Sequence, residues 1–527
     1  MKSDFYFEII RGYIAPDAKF PQILAPENHA GAPELRETPK SAAQSASAVR
    51  PDRNKIFREK LSRQSRDFPL LRAGVIHTPH GDIATPAFIV VGTHAEVKFL
   101  TPENLRQIKT PAVLANGYHL LRRAGVIDAG GGLAKFMNWP GPTFTDSGGF
   151  QVMSLGSGLG KIVSMNQGSE NEKSGENPPE NRENQILKQN NENREISDKS
   201  LAKIRDEKLA HIFDDGVEFR DPYSSRIVKF TPEMSIQTQH KLGADIMMAF
   251  DELTNITDSY EYNVAALERT RKWAERSLRE HVRQTNLRQG KSYQALYGCL
   301  QGATFRDLRE KAARDLAVME VAGAKFDGFG LGGAFAKENL GEILAWMTEI
   351  LLADKPRHLL GLARPDDIFA GVENGADTFD CVAPTREARH GRIYTEHGNF
   401  NLNRAEFAND SRPLDETCDC PTCAKTIAED FANLDKNLID NFNNFFANFS
   451  LSSEEKSSIL SDKHFSRKLL RAMLKSENRE LRAQAFTLLS QHNVRFVIKL
   501  MENIRTNILT GTYAKFKHDF CTKYYQT

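Results

Sequence analysis

Two aspartates stand in short motifs whose residue types could break and make bonds: Asp146 in TDSGGFQ and Asp380 in FDCV. Two carboxylates in one pocket can do glycosidic chemistry. One attacks the anomeric carbon, and the other protonates the leaving group and later takes a proton back. Such a pair also separates its own pKa values, because burial and mutual repulsion favour one protonated and one ionised member. Further polar or small residues accompany them: Asn116, Asp251, Gln301, the pair Gly332–Gly333, and Gly361. An Asp and a Gln suit recognition of a base edge, the carboxylate accepting from guanine-like N–H groups and the amide donating to a ring carbonyl. Each residue alone has a plainer role. An Asp at a strand end often caps the next helix, and Asp146 also suits a tight turn.

A second cluster offers metal chemistry. Three of the six cysteines, Cys418, Cys420 and Cys423, fall within the hexapeptide CDCPTC. In a reducing compartment that spacing points to a metal rather than a disulfide. Three thiolates need a fourth ligand to complete tetrahedral zinc, and such a closed set makes the metal structural. Downstream candidates are His464, His492 and His518.

The elements that must position the carboxylates are short β-prone runs at 87–91, 112–116, 143–146, 245–250, 294–300, 326–331, 358–362 and 378–382. Several are almost continuously apolar, as buried parallel strands are. Helical patterns over 232–242, 259–284, 304–323, 337–352 and 365–374 separate many of them. Eight strands alternating with helices predict an α/β fold, a (β/α)8 TIM barrel, with chemistry at the C-terminal strand ends. A doubly wound open sheet would carry a Gly-rich phosphate turn after its first strand; GTHAEVK at 92–98 is not one. The candidate residues all fall at the C-terminal ends of the predicted strands.

The chain has 527 residues, 40% hydrophobic and 26% charged, with a net charge of +1. That composition predicts a soluble globular protein. It argues against a surface that is basic throughout, so nucleic acid would have to be met by local patches. One basic run is Lys463, Arg467, Lys468, Arg471, Lys475, Arg479 and Arg482, equally readable as a solvated helix face. The N-terminal MKSDFYFEIIRG lacks the apolar core of a secretory signal, and no apolar run reaches membrane-spanning length. The protein is therefore expected to be cytoplasmic, with no membrane partner. Residues 1–10 are expected to form a strand. Residues 11–66 and 157–210 are polar and read as low-complexity or disordered insertions. The remainder divides into barrel parts at 67–156 and 211–410 and a helical subdomain at 411–527, itself interrupted at 424–463.

Taken together, TDSGGFQV (145–152), MAFDE (248–252), LQG (300–302), FDCVAPTREARHGR (379–392), the CDCPTC cluster and QHN (491–493) resemble the bacterial-type tRNA-guanine transglycosylases, also called queuine tRNA-ribosyltransferases. The resemblance covers roughly 67–156, 212–423 and 465–516, and leaves 11–66 and 157–210 without a counterpart. It implies a TIM barrel with a C-terminal zinc subdomain. It also implies exchange of the wobble guanine at position 34 for a 7-deazaguanine, in queuosine biosynthesis. Asp380 would be the nucleophile, giving a covalent ribosyl–Asp intermediate, and Asp146 the general acid/base. Asp146, Ser147, Gly148, Gly149, Phe150, Asp251, Gln301 and Gly333 would bind the base, with Asn116 beside Asp146.

The resemblance places the tRNA against Gly361, Leu362, Ala363, Arg364, Pro365, Asp366 and Asp367, and against Thr385, Arg386, Glu387, Ala388 and Arg389. Arg386, Arg389 and Arg392 would form a basic loop beside the nucleophile. One structural Zn2+ would take Cys418, Cys420, Cys423 and His492, the last in an H–N dipeptide following a helix. The implied partners are tRNA with a GUN anticodon, the base preQ1 or queuine, and a second copy of the chain in a homodimer. This sequence departs from the family at Gly117 (NGYHL for NTYHL), Leu253 and Ala334, and in a Cys423-to-His492 interval of 69 residues. A non-catalytic RNA-binding subunit and a retaining nucleoside or glycoside hydrolase are the other readings.

Overall fold

The computed structural model describes residues 5–11, 64, 66–151, 210–221, 226–288, 290–333, 337–424 and 465–526. Most of the 11–66, 157–210 and 424–463 stretches, and Ala334 and His464, lie outside these residues.

Eight parallel strands close into a barrel. They are β1 (Ala87–Val91), β2 (Val113–Ala115), β3 (Thr143–Thr145), β4 (Ile246–Met248), β5 (Ala295–Leu300), β6 (Gly328–Leu331), β7 (Arg357–Leu359) and β8 (Thr378–Cys381). Each pairs in parallel with its sequence neighbours, and β8 returns to β1, Asp380 opposite Ile89. Seven lie within the predicted runs, and β7 overlaps the 358–362 run while starting one residue before it. The register is fixed by side-chain parity, since alternate residues of a strand face opposite sides. Ala87, Ile89, Leu114, Phe144, Ile246, Met248, Tyr297 and Cys299 form the buried interior of the barrel. Phe88, Val90, Val113, Leu296, Phe329 and Phe379 face outward and pack beneath the helices.

The helices match their predicted positions with differences at the ends. Pro232–Leu242 is as expected, capped by the Thr231 side chain and stopped by left-handed Gly243. Tyr260–Leu287 runs slightly longer than expected. Arg306–Val318 stops short of 323 because Ala322 and Gly323 adopt positive φ and close a turn between Val321 and Ala324. The 337–352 pattern divides into a 3-10 turn, Lys337–Asn339, and a helix, Leu340–Thr348.

Three small antiparallel sheets flank the barrel. Tyr6–Arg11 pairs with Ala73–Thr78, which pairs with Gly81–Thr85. Phe5, Ile76 and Ile83 join the barrel's interior core, so this sheet stops its N-terminal mouth. Ala210–Phe213, Gly216–Arg220 and Ile227–Phe230 form the second sheet, and Arg392–Thr395 pairs with Gly398–Asn401 in the third.

The long helix Arg479–Thr510 belongs to two cores. Its first half packs Leu481, Ala485, Leu488 and Leu489 against Leu470 and Met473 of the helix Arg467–Lys475. Its second half places Val494, Val497, Ile498, Met501, Ile504 and Ile508 in the main barrel core. The C-terminal helical region is thus continuous with the barrel through one long helix. No helix among the described residues is long and apolar enough to cross a membrane.

Candidate active site and metal centre

The inward parity of the strands carries past their ends into a polar pocket. On β2 it runs Leu114 to Asn116, on β3 Phe144 to Asp146, on β5 Cys299 to Gln301, and on β8 Thr378 to Asp380. The same alternation that fills the barrel with apolar side chains therefore delivers amides and carboxylates at its C-terminal mouth.

Asp146 is held at both oxygens. Asn116 Nδ2 donates to Oδ2 at 2.7 Å, and the backbone N–H groups of Gly117 and Gly148 donate to Oδ1 at 2.9 and 3.1 Å. Asn116 is placed by a second task, capping the helix Gly117–Leu120 by accepting from His119 N at 2.9 Å. At Gly117 a Cβ would come within 2.7 Å of the Asp146 carbonyl oxygen. Glycine at this position thus lets the loop close on Asp146. Loss of hydration in the pocket pushes the Asp146 carboxyl up to about 7; the charge of Asp380 adds to the rise, and its three donors oppose it. A carboxyl near 7 can give and take a proton at neutral pH.

Asp251 lies across the same pocket. Gln301 Nε2 donates to its Oδ2 at 2.6 Å, and Ser147 Oγ donates to its Oδ1 at 3.3 Å. Burial raises this carboxyl to about 6 against those two bonds. The turn between the carboxylates holds itself, with Gly149 N donating to Ser147 Oγ and Ser235 Oγ donating to Ser147 O. The next residue, Glu252, points away. It is fully buried and receives Arg269 at 2.7 and 3.1 Å and the Tyr262 hydroxyl at 2.8 Å. In FDE, then, only the aspartate serves the pocket.

Asp380 accepts from Gly361 N at 2.9 Å and faces His358 Nε2 at 3.2 Å, both through Oδ1. The sequence reading did not single out His358. It sits in β7 between Arg357 and Leu359, and only the barrel register sets it beside Thr378 and below Asp380.

Arg309 was likewise unforeseen. Fully buried, it donates through Nε to the Ala303 carbonyl at 2.7 Å and through Nη1 to the Gly332 carbonyl at 2.5 Å. It ties the end of β5, with Gln301, to the end of β6. Gly333 has φ +114°, and a Cβ there would strike the Arg309 guanidinium at 2.3 Å, so only glycine fits in front of it.

Gln239 is a third buried organiser. It accepts from Thr145 Oγ1 and Met248 N and donates to Met248 O, stitching β3 to β4 beneath Asp146.

Of the residues expected to face RNA, Ala363, Pro365, Asp367, Thr385 and Ala388 are buried. Asp367 instead caps the helix Pro365–Glu373, accepting from Arg364 N. Gly361, Leu362, Arg364, Asp366, Arg386, Glu387 and Arg389 retain exposure. The expected basic loop is a helix, Ala383–Arg389, followed by the strand that begins at Arg392; three consecutive good helix formers, Arg386–Ala388, fit that outcome. Arg392 and Tyr394 both contact Glu387. In the basic C-terminal run, Arg467 is tied to Asp410 and lies 4.7 Å over the Phe400 ring, and Arg471 binds backbone carbonyls. These two arginines are structural, and Lys463 lies outside the described residues.

Cys418, Cys420, Cys423 and His492 converge so that their ligand atoms lie within 4.8 Å of one another. His492 Nδ1 is 3.6 Å from Cys420 Sγ and 3.3 Å from Cys423 Sγ. Tetrahedral zinc with its usual bond lengths would set an N···S edge of about 3.6 Å. His492 Nε2 lies 2.8 Å from the Tyr394 carbonyl, which requires its proton on that nitrogen and leaves Nδ1 to face the thiols. His492 sits in the middle of the helix Arg479–Thr510, not after a helix. A helical position fixes its direction where a loop would not. His518, on the exposed side of the helix Tyr513–Tyr525, is not in the cluster.

Asn493 extends the linkage toward the pocket. It donates to the carbonyls of Pro384 at 3.2 Å and Arg392 at 2.8 Å, and accepts from Tyr394 N. The helix that follows Asp380 is therefore clamped by the neighbour of His492, a candidate metal ligand.

A closed parallel barrel with three carboxylates at its C-terminal mouth, one raised to about 7, has the make-up of a barrel-enzyme active site. The family model described as queuine tRNA-ribosyltransferase matches residues 69–176, 186–438 and 444–526. A queuine tRNA-ribosyltransferase of Desulforamulus reducens is 35% identical over 88% of this chain and 97% of its own length. A putative queuine tRNA-ribosyltransferase of Archaeoglobus fulgidus is 36% identical over 85% and 96%. One from Staphylococcus aureus is 34% identical over 86% and 93%. The chain belongs to the queuine tRNA-ribosyltransferase family, a family of enzymes. The matched ranges run through most of 157–210 and of 424–463 and begin after 11–66.

Proposed function

We propose that this protein exchanges guanine 34 of tRNAs with a GUN anticodon for a 7-deazaguanine, with preQ1 as the incoming base. The observation that carries this reading is the pairing of Asp380 with Asp146, whose carboxyl is raised to about 7 with Asp380's charge among the causes. Asp380 attacks ribose C1′ as the bond from C1′ to the base nitrogen breaks. The electron pair leaves with guanine, which takes a proton from Asp146. The incoming base then returns a proton to Asp146 and attacks C1′, and the ribosyl–Asp380 bond breaks with its electrons back on the carboxylate. Strand and charge are restored, and no net proton is consumed.

Asp251 accepts from the ring N–H and exocyclic amine of the base, Gln301 and Gly333 flank it, and Arg309 holds those two in register. The wobble base must leave its stack to enter such a pocket. The half-buried Arg364, Arg386 and Arg389 supply phosphate contacts at its rim. The Cys418, Cys420, Cys423 and His492 donors suit Zn2+, which as a closed site would fasten the helix Arg479–Thr510 and, through Asn493, the segment after Asp380.

The test is incubation of tRNA carrying labelled guanine 34 with preQ1 or queuine, followed by mass spectrometry of position 34. Release of label with preQ1 installed supports the proposal. Queuine installed in its place overturns the choice of base. Abasic tRNA, or no release with either base, overturns exchange itself.

A further inference from the structure

We propose that Thr378 and His358 form a relay that pins Asp380 Oδ1 and leaves Oδ2 as the attacking oxygen; this rests on Asp380 being the nucleophile. The three side chains share the inward face of adjacent strands. Thr378 and Asp380 are two apart on β8, and His358 of β7 is the register partner of Thr378. His358 is fully buried, with Nδ1 2.9 Å from Thr378 Oγ1 and Nε2 3.2 Å from Asp380 Oδ1. The ring packs against Phe144, with centroids 5.4 Å apart.

These contacts assign the tautomer. A nucleophilic carboxylate has no proton to give, so the proton between His358 and Asp380 belongs to Nε2. In neutral imidazole Nδ1 is then an acceptor, and the Thr378 hydroxyl is its donor. The result is a directed chain, from Thr378 O–H to His358 Nδ1 and from His358 Nε2–H to Asp380 Oδ1.

Gly361 N also donates to Oδ1, at 2.9 Å. Among the described residues, neither of the two donors that hold Asp380 touches Oδ2. Asp146 contrasts with this, since donors hold both of its oxygens. One-sided pinning fixes the carboxylate plane while an unencumbered lone pair remains on Oδ2. It holds the nucleophile in a near-attack geometry without weakening the oxygen that must bond to carbon. His358 is thus a positioning residue.

The experiment uses two amides that imitate the two ends of the imidazole. His358→Gln places an N–H near the position of Nε2. His358→Asn reaches only the Nδ1 position and cannot span to Asp380. Covalent tRNA adduct formation would be followed in single turnovers of the full-length enzyme, alongside steady-state kcat and the KM for base. The relay predicts that the Gln variant stays within about threefold of wild type, while the Asn variant loses about 10- to 100-fold in adduct rate and kcat at unchanged KM. Equal losses in the two variants, or a loss carried by KM, would overturn the relay while wild-type adduct still forms. If the wild type forms no adduct, the reading of Asp380 fails, and the relay with it. An independent check on the unmutated protein is the 15N spectrum of His358. An Nε2-protonated ring is expected, and an Nδ1-protonated ring would refute the chain.

Discussion

Substituting Asn116 should move the pH dependence of the chemical step in a direction the structure fixes. In the proposed exchange Asp146 must be protonated when guanine departs, and its carboxyl is raised to about 7. One pH unit above that midpoint only about a tenth of the enzyme carries the proton. Single-turnover adduct formation in the wild type should therefore lie about tenfold below its plateau near pH 8. Asn116 Nδ2, 2.7 Å from Oδ2, favours the ionised form. Asn116→Ser keeps an acceptor for the cap on His119 N, because Ser is as good an N-cap as Asn, but its hydroxyl is too short to reach Asp146. A hydrogen bond to a charged group is worth about 1.5–3 kcal/mol. At about 1.36 kcal/mol per unit, its loss raises the Asp146 midpoint by about one to two units. The assay is a rapid-quench series from pH 6 to 9 resolved on denaturing gels. The variant should fall to half its plateau only between about pH 8 and 9, where the wild type has already declined about tenfold or more. An unmoved midpoint, a downward shift, or a flat wild-type profile would show that Asp146 is not the acid or that Asn116 does not tune it.

Two further outcomes follow from the same geometry. Burial holds Asp251 at about 6, so it is ionised and able to accept from base N–H groups only above that value. The KM for base should rise as pH falls below 6, and Asp251→Asn should raise it about 10- to 100-fold at neutral pH by leaving base donors unpaired; a KM flat between pH 5 and 7 would contradict the assignment. The full-length protein should hold about one zinc per chain by elemental analysis, since one Cys3His group able to hold it is found among the described residues. Cys420 is fully buried in that set, so Cys420→Ser should lose the metal and lower the melting temperature. A metal-free variant melting with the wild type would refute a structural metal.

The barrel was legible because its strands are short apolar runs between helical patterns, and buried parallel strands leave that trace without help from distant residues. Its polar rim was legible for the same reason, since a strand end followed by Asp, Asn or Gln is visible in one dimension. The small sheets were not. Tyr6–Arg11 finds its partner at Ala73–Thr78, and nothing local in either run names the other. His358 was hidden because Arg357, which turns outward to the Gly375 and Leu351 carbonyls, and Leu359 surround it with residues of ordinary strand character. Its bond to Asp380 exists only once β7 and β8 are in register. Arg309 was hidden in a helix full of charges, where burial cannot be read from composition. The Cys3His cluster shows the division most clearly. Three thiols within six residues announce themselves, whereas His492 is 69 positions from Cys423 and was found only through resemblance.

The most direct measurement is the location of the covalent bond. Wild-type enzyme would be incubated with tRNA in the absence of incoming base, quenched in denaturant, digested with nuclease and protease, and the ribose-modified peptide sequenced by mass spectrometry. The account predicts a ribosyl ester on Asp380, absent from Asp380→Asn. A ribosyl group on Asp146 or Asp251, or turnover with no covalent species at any carboxylate, would contradict it.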